Sequence, residues 1–145
     1  MSKLFLIVML MVVFVAAWAC RPSSGGDNFA TVGVDEFEQL IAQKDSVVVL
    51  DVRTRSEYEE GHLRDAIIID VKTDSFMVAA RELLPPPAAK SDSLDTSAKT
   101  IAVYCRSGRR SAMAAEMLAA EGYKMVNLAG GILAWEKAGK EIVKR

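Results

Sequence analysis

The sequence predicts a single α/β domain in which a mostly parallel central sheet is flanked by helices on both sides. Four short runs of β-forming residues lack the alternation of a half-exposed strand, and such runs are typical of parallel strands buried on both faces. They span residues 47–50, 67–69, 101–104 and 125–128. Helical segments precede, separate and follow these runs, and alternation of strands with helices is characteristic of a parallel α/β sheet.

The N-terminal part of the domain predicts a strand, a helix and a second strand. Residues 29–32 have the pattern of a short edge strand, and Gly33 precedes the helix. The helix has one apolar face, formed by Val34, Phe37, Leu40 and Ile41. The run at 47–50 follows and ends at Asp51.

Three further helices are predicted in the second half of the chain. The first covers residues 75–84, where three consecutive prolines end it, and residues 91–97 form a polar loop. The second covers residues 111–121, which are rich in strong helix formers, and Gly122 stands where a left-handed cap belongs. A short final helix covers residues 132–137.

Composition and net charge exclude several classes of function. The chain has 145 residues, enough for one domain of ordinary size, and its 51% hydrophobic content excludes disorder as the main state. A formal net charge of −1 lacks the basic surplus of a nucleic-acid binder, so no nucleic-acid partner is expected. One histidine and two separated cysteines cannot close a zinc site, and no cofactor or metal is expected.

Residues 1–19 are predicted to be a signal peptide. Lys3 gives the segment a positive start, residues 4–19 carry no charge, and small residues end the run. Because a membrane-spanning helix needs roughly 20 apolar residues, this run is short for one. An uncleaved single-helix anchor is the alternative.

Cys20 leaves two export routes open. Ala17-Trp18-Ala19 fits ordinary signal peptidase cleavage, whereas Ala19 directly before Cys20 resembles a bacterial lipoprotein signal. Lipidation of Cys20 is favoured, because a cysteine at the first mature position is otherwise hard to explain. Residues 20–28 would then be a flexible tether to a domain over residues 29–145. The expected location is the periplasmic or cell-envelope face of a bacterial membrane, held there by a lipid anchor.

The candidate chemistry lies in the loop after the 101–104 run, at the sheet edge where α/β proteins bind ligands. The loop places a cysteine before three arginines and a predicted helix, in the order Cys105, Arg106, Ser107, Gly108, Arg109, Arg110 and Ser111. Backbone N–H groups, the helix dipole and cationic side chains all favour a nucleophilic thiolate at Cys105. The same donors would hold an anion beside it. The alternative is a buried structural cysteine that closes the strand.

Three motifs, in this order, resemble those of the rhodanese family. The first comprises Asp51-Val52-Arg53, Glu57-Tyr58, Gly61-His62-Leu63 and Ala66-Ile67. The second is the cysteine loop, residues 104–111, and the third is the closing segment, residues 128–135. The resemblance runs from about Phe29 to the C-terminus and implies a rhodanese-like fold.

The resemblance implies a single-domain sulfurtransferase of the thiosulfate sulfurtransferase kind. Cys105 would take a sulfane sulfur from thiosulfate or a persulfide donor, become a persulfide, and pass the sulfur to a thiol or cyanide. The loop from Arg106 to Ser111 would bind the substrate through N–H groups and arginine side chains. Arg110, as a solvent-facing side chain, and then Arg106 would orient the anionic donor, whereas Arg109 would face solvent. The implied partners are a small sulfur donor and a thiol acceptor, and the protein would be a monomer.

Several residues outside the loop are given structural roles. Those expected in a supporting polar network are Asp51, Arg53, Glu57 and His62. Those expected to pack in the core are Met113, Met117 and Trp135. The chain departs from the family pattern at Arg64-Asp65, which replaces a common Pro-Gly pair and is expected to alter only a surface turn. It departs again over residues 73–99, a longer segment that could form a lid or partner surface.

Two other functions stay open on this fold. A cysteine phosphatase or arsenate reductase would place arginine six positions after the cysteine, where this chain has Ser111. Arg110 leaves a gap of only four residues, which resembles the sulfur-handling members. The second alternative is a binding or sensing module whose cysteine is intact but unused for turnover.

Overall fold

The computed structural model describes residues 28–87 and 98–144. Its strands are β1 (Ala30–Val32), β2 (Val47–Asp51), β3 (Ile67–Ile68), β4 (Thr100–Tyr104) and β5 (Lys124–Leu128). Its helices are α1 (Val34–Ile41), α2 (Arg55–Glu60), α3 (Phe76–Leu83), α4 (Arg109–Ala120) and α5 (Gly131–Lys137). The predicted signal peptide, nearly all of the tether and the loop at 91–97 lie outside the described residues.

The five strands form one parallel sheet in the order β1–β5–β4–β2–β3. Every residue of β4, the central strand, is buried, because β5 and β2 flank it and helices cover both of its faces. This arrangement confirms the predicted α/β class with a parallel sheet and helices on both sides. It also places the residue after Tyr104 at the middle of the carboxyl edge of the sheet.

The two faces of the sheet carry separate apolar cores. On one face α3 and α4 contribute Phe76, Ala80, Ala114, Ala115 and Leu118. On the other face α1 and α5 contribute Phe37, Ile132 and Trp135. Along β4, Ile101 and Val103 face the first core and Ala102 and Tyr104 face the second. Since side chains alternate along a strand, Cys105 continues on the first face, against α4.

The run at 67–69 differs from its prediction. It was expected to be buried on both faces, but β3 is a two-residue strand whose side chains are half-buried. The reason is its position at the edge of the sheet, where it pairs with β2 alone, through Leu50 with Ile67 and Asp51 with Ile68. A continuous apolar run therefore marks a strand here but does not distinguish a central strand from an edge strand.

The prediction that Met113 and Met117 pack in the core is wrong. Both side chains are exposed, 49% and 38% respectively. The buried face of α4 is instead formed by small residues and one leucine, namely Ser111, Ala114, Ala115 and Leu118. Small residues let α4 approach the sheet closely, so the longer methionines lie on its outer side. Trp135 does lie in the core, where its ring meets that of Phe37 edge to face at a centroid distance of 6.3 Å.

The Arg64-Asp65 departure is a surface turn, as predicted. Both residues are exposed, and Asp65 has a φ of 62°, in the left-handed region where glycine is the usual residue. Aspartate tolerates this conformation better than most side chains. Its carboxylate also accepts a hydrogen bond from Lys44 Nζ at 2.9 Å.

Candidate active site

Cys105 lies directly after the central strand, and its sulfur is surrounded by hydrogen-bond donors. The backbone N–H of Gly108 donates to Sγ at 3.1 Å, and the hydroxyl of Ser111 donates to it at 3.3 Å. Cys105 and Ser111 are both fully buried. The cysteine loop and the first turn of α4 therefore form a cradle around one sulfur atom.

The cradle favours the thiolate over the thiol. Burial raises the pKa of Cys105, because it disfavours the charged form. The hydrogen bonds from the Ser111 hydroxyl and from the backbone N–H groups of Ser111, Gly108 and Ser107 outweigh burial, and the net pKa is lowered. All of these donors stabilise negative charge on sulfur, which makes Cys105 a better nucleophile at neutral pH.

Two glycines shape the cradle. Gly108 has a φ of 96°, and a Cβ added to it would lie 3.2 Å from the backbone nitrogen of Gly130 and 3.3 Å from the carbonyl oxygen of Leu128. Gly131 has a φ of 60°, and its Cβ would lie 2.5 Å from the carbonyl oxygens of Cys105 and Arg106. The closing segment therefore lies directly behind the cysteine loop and leaves no room for a side chain at Gly131.

Two backbone hydrogen bonds connect the closing segment to the loop. The N–H of Ile132 donates to the carbonyl of Cys105 at 2.8 Å, and the N–H of Leu133 donates to that of Arg106 at 3.2 Å. The start of α5 thereby fixes the first two residues of the loop. The third sequence motif, residues 128–135, therefore packs against the cysteine loop and holds its backbone in place.

Arg110 does not face solvent freely, so that part of its prediction is wrong. Its guanidinium forms a bidentate ion pair with Glu57, with Nη1–Oε2 and Nη2–Oε1 distances of 2.8 and 2.7 Å. Its side chain is only 21% exposed. The hydrogen bonds from Arg110, and further ones from Thr54, lower the pKa of Glu57 to about 2 against the opposing effect of burial. The positive charge of Arg110 is committed to Glu57, whereas the prediction assigned it to an anionic donor.

Glu57 is itself held in place by the start of α2. Thr54 and Glu57 form a reciprocal capping box, in which the Thr54 backbone N–H donates to Oε2 at 3.0 Å and Glu57 N–H donates to Thr54 Oγ1 at 3.3 Å. Helix α2 was not predicted. The Thr-x-x-Glu spacing at 54–57 was the signal that could have found it.

The other two arginines of the loop are exposed. The side chains of Arg106 and Arg109 form no hydrogen bond or ion pair with another residue in the described ranges. Arg106 directly follows the cysteine, and Arg109 is the first residue of α4. These two cations are therefore available to an anion that approaches the loop.

A buried polar network supports β4, the strand directly before Cys105. Arg53 Nη2 lies 2.7 Å from Asp51 Oδ2 and also donates to the Gly61 carbonyl at 2.7 Å. The Tyr104 hydroxyl donates to Asp51 Oδ2 at 2.6 Å and accepts from the Leu63 N–H at 3.0 Å. Burial and the neighbouring Asp51 carboxylate raise the pKa of Tyr104 above its ordinary range, so it stays a hydroxyl donor. This role of Tyr104 was not predicted.

Glu57 and His62 lie outside that network. Glu57 pairs with Arg110 instead, and His62 stacks on Tyr58 with a centroid distance of 3.7 Å and hydrogen-bonds the Tyr58 carbonyl through Nδ1 at 2.9 Å. The backbone of His62 also pairs with Val143 in an isolated antiparallel bridge.

In the described part of the chain, no three His, Cys, Asp or Glu side chains are grouped to hold a metal ion.

Comparisons with known proteins agree with this geometry. A family model described as a rhodanese-like domain matches residues 33–138. A sulfurtransferase from Allochromatium vinosum is 30% identical over 110 residues, which cover 75% of this chain and 90% of that protein. Thiosulfate sulfurtransferase 18 from Arabidopsis thaliana is 41% identical over 118 residues, which cover 78% of this chain and 82% of that one.

A solved structure shares the fold. The crystal structure of a rhodanese-related protein from Thermoplasma volcanium superposes with a TM-score of 0.64 at 27% identity, and the match covers 81% of this chain and all of that one.

Among the helices of residues 28–87 and 98–144, none has both the length and the apolar character that a membrane-spanning helix needs.

Proposed function

The chain belongs to the rhodanese-like domain family, and on that premise we propose that it is a sulfurtransferase that works through a Cys105 persulfide. It would move a sulfane sulfur from thiosulfate or a persulfide donor to a thiol or cyanide. The observation that carries this proposal is the set of N–H and O–H donors directed at Sγ of Cys105. Those donors favour a thiolate, and attack by a thiolate is the first step of sulfur transfer.

In the first half-reaction the Cys105 thiolate attacks the outer sulfur of thiosulfate. A bond forms between Sγ and that sulfur, the sulfur–sulfur bond of thiosulfate breaks, and its electron pair leaves with sulfite. The product is a persulfide that carries one negative charge on its outer sulfur. The cradle then stabilises the bound sulfur with the same kind of hydrogen bond that it makes to the thiolate.

Recognition of the anionic donor falls to Arg106, Arg109 and the backbone N–H groups of the loop. The side chains of Arg106 and Arg109 are exposed and have no hydrogen-bond or ion-pair partner among the described residues. Arg110 contributes indirectly, because its pairing with Glu57 fixes the first turn of α4, which supplies Ser111. We therefore assign Arg110 a positioning role in place of direct donor binding.

The test compares two reactions on the wild type and on Cys105→Ser. We expect the wild type to transfer sulfur from thiosulfate to cyanide and to leave an aryl phosphate intact. Cys105→Ser should fold normally and transfer no sulfur, because a serine hydroxyl ionises far too weakly to attack. Cys105-dependent phosphate hydrolysis without sulfur transfer would overturn the proposal in favour of a phosphatase or arsenate reductase.

A second candidate function is a binding or sensing module, and one observation favours it. Cys105 is completely buried, with a relative exposure of 0%, so a large reactant cannot contact Sγ itself in this conformation. A sulfurtransferase must admit a small donor to that sulfur, whereas a binding module need not. If neither thiosulfate nor any persulfide donor transfers sulfur to Cys105, that result would support a function as a binding or sensing module.

We also propose, from the sequence alone, that the protein is an exported bacterial lipoprotein anchored through Cys20. Several acyl chains together hold a protein firmly at a membrane, whereas one holds it marginally. Cys20→Ala should release mature protein into the soluble fraction or block processing. Wild-type protein that is soluble and unacylated, with Cys20 at its mature N-terminus, would leave plain secretion instead.

A further inference from the structure

A cavity of about 470 Å³ lies at the amino edge of the sheet, opposite the edge that carries Cys105. Its floor is a row of first strand residues, because Val47 of β2 pairs with Thr100 of β4, and Thr100 pairs with Lys124 of β5. Leu40, near the end of α1, lines it from the side. A strand rises roughly 3.3 Å per residue, so the five residues of β4 put this row about 16 Å from Cys105. The cavity is therefore separate from the candidate active site.

The charges that line this cavity are all positive. Lys99 and Lys124 line it, and no aspartate or glutamate of the described ranges does. Neither lysine side chain forms a hydrogen bond or ion pair with another residue in those ranges. The carboxylate of Glu121, close by in the sequence, is paired with Arg81 at 2.8 Å. The two lysines therefore leave positive charge for an anion that enters the cavity.

The remaining lining combines apolar and polar groups. Leu40 and Val47 supply apolar surface, and Gln43, Ser46 and Thr100 supply amide and hydroxyl groups. A free inorganic anion would pair with the lysines but would leave the apolar surface uncovered. An anionic group that is attached to an apolar chain would complement both parts of the lining. A phospholipid with a negatively charged headgroup has this chemistry.

The chain enters the domain at the same edge. The first strand begins at Ala30, which pairs with Val126 of β5, and Lys124 is only two residues before Val126. Residues 20–28 join this entry point to Cys20. At roughly 3.3–3.6 Å per residue, such a segment reaches about 30 Å at most. A lipid on Cys20 would therefore keep this edge of the sheet close to the membrane surface.

We propose that the cavity between Lys99 and Lys124 binds the headgroup of an anionic phospholipid, so that the amino edge of the sheet contacts the membrane and the Cys105 loop faces away from it. The proposal rests on the proposed lipid anchor at Cys20. Attraction between lysines and an anionic surface falls off within a Debye length, about 8 Å at physiological ionic strength. Lysines elsewhere on the domain, such as Lys72 after β3, therefore lie beyond its range. The Cys105 loop then receives its sulfur donor from solution.

The experiment compares the lysines of the mature protein in two kinds of vesicle, phosphatidylcholine alone and phosphatidylcholine mixed with phosphatidylglycerol. An amine-reactive reagent labels the lysines, and peptide mass spectrometry gives the rate at each one. Lys99 and Lys124 should react roughly two- to fivefold more slowly in the anionic vesicles, as expected for one lysine at an anionic surface. The exposed controls Lys72 and Lys137 should react equally in both. At about 1 M salt, where the Debye length is about 3 Å, the difference should disappear.

A matched pair of variants tests whether the two lysines act together. Lys99→Gln should reduce the protection of Lys124 by anionic vesicles, whereas Lys137→Gln, at an exposed site outside the cavity, should not.

Three results would overturn the membrane contact. Equal labelling of Lys99 and Lys124 in both kinds of vesicle would do so and leave the anchor standing. Protection of Lys72 in their place would turn the Cys105 edge toward the membrane. Protection by glycerol 3-phosphate alone, without vesicles, would leave a site for a soluble anion. An intact mass without acyl chains would instead overturn the anchor, and labelling of that protein mixed with the same vesicles would still decide whether the cavity binds anionic lipid.

Discussion

Arg110 and Glu57 form a bidentate ion pair, with N–O distances of 2.7 and 2.8 Å, that joins the first turn of α4 to the first turn of α2. The side chains are 21% and 23% exposed, so water screens the pair only in part. Since Glu57 also caps α2 through Thr54, one carboxylate organises two helix starts. This pair determines what each arginine of the loop can do.

The Arg110–Glu57 ion pair should make the free energy of unfolding depend on pH in the acid range. The folded protein lowers the pKa of Glu57 from 4.5 to about 2, so its contribution is present above pH 4.5 and is lost as the pH falls toward 2. The contribution is at most about 3 kcal/mol. Denaturant unfolding at several pH values should show the stability difference between wild type and Glu57→Gln shrinking over that range. The control is Glu59→Gln, an exposed substitution on the same helix, whose free energy of unfolding should match that of the wild type at every pH. A stability difference between wild type and Glu57→Gln that stays constant with pH would show that the ionisation of Glu57 does not stabilise the fold.

Replacing Arg106 should impair substrate binding, whereas replacing Arg110 should lower the stability of the fold. Arg106→Ala should raise KM for thiosulfate and change stability by no more than about 0.5 kcal/mol, because the side chain is exposed. Arg110→Ala should lower the free energy of unfolding by about 1–3 kcal/mol, because it leaves Glu57 without its charged partner. Steady-state kinetics beside denaturant unfolding separate the two. Undiminished stability in Arg110→Ala with a raised KM would return the donor-binding role to Arg110.

Ser111 should control ionisation of the catalytic sulfur. Its hydroxyl donates to Sγ, and a hydrogen bond to a charged group is worth about 1.5 kcal/mol, so Ser111→Ala should raise the pKa of Cys105 by about one unit. Thiolate absorbance against pH, with Cys105→Ser subtracted, measures it. Ser107→Ala is the control, because Ser107 acts on the sulfur through its backbone N–H. Equal shifts in both variants would exclude a specific effect of the Ser111 hydroxyl.

Gly131 and Gly139 should separate backbone strain from contact with the loop. Both have a positive φ, so alanine at either position costs about 1–2 kcal/mol. Only at Gly131 would the new Cβ meet the Cys105 and Arg106 carbonyls, at 2.5 Å, whereas nothing lies within 4 Å at Gly139. Gly131→Ala should therefore lose sulfur transfer and Gly139→Ala should retain it, as measured by thiosulfate:cyanide transfer at a temperature where both are folded. Equal activity would contradict a supporting role for Gly131.

The sheet was predictable because its strands are continuous apolar runs. The run at 101–104 marked a buried strand, and the polar residues after it marked the ligand-binding edge. The sequence could not distinguish β3 as an edge strand, since an apolar run has the same pattern in either position. The exposure of Met113 could not be predicted either, because the buried face of α4 is formed by the small residues on the opposite side of the helix.

Within the candidate site, the identity of the nucleophile was predictable and the partners of its neighbours were not. Cys105 followed from its place after a buried strand and before a helix. The pairing of Arg110 with Glu57 joins residues 53 positions apart, and local pattern carries no signal for such a contact. The hydroxyl of Tyr104 was overlooked for the same reason, because Asp51 and Leu63 reach it only through the tertiary fold.

The intact mass of the purified protein after incubation with thiosulfate is the most direct measurement of a persulfide at Cys105. The wild type should gain the mass of one sulfur atom, cyanide should remove it, and Cys105→Ser should gain none. A wild type that gains no sulfur, or a Cys105→Ser variant that gains as much as the wild type, would contradict a Cys105 persulfide.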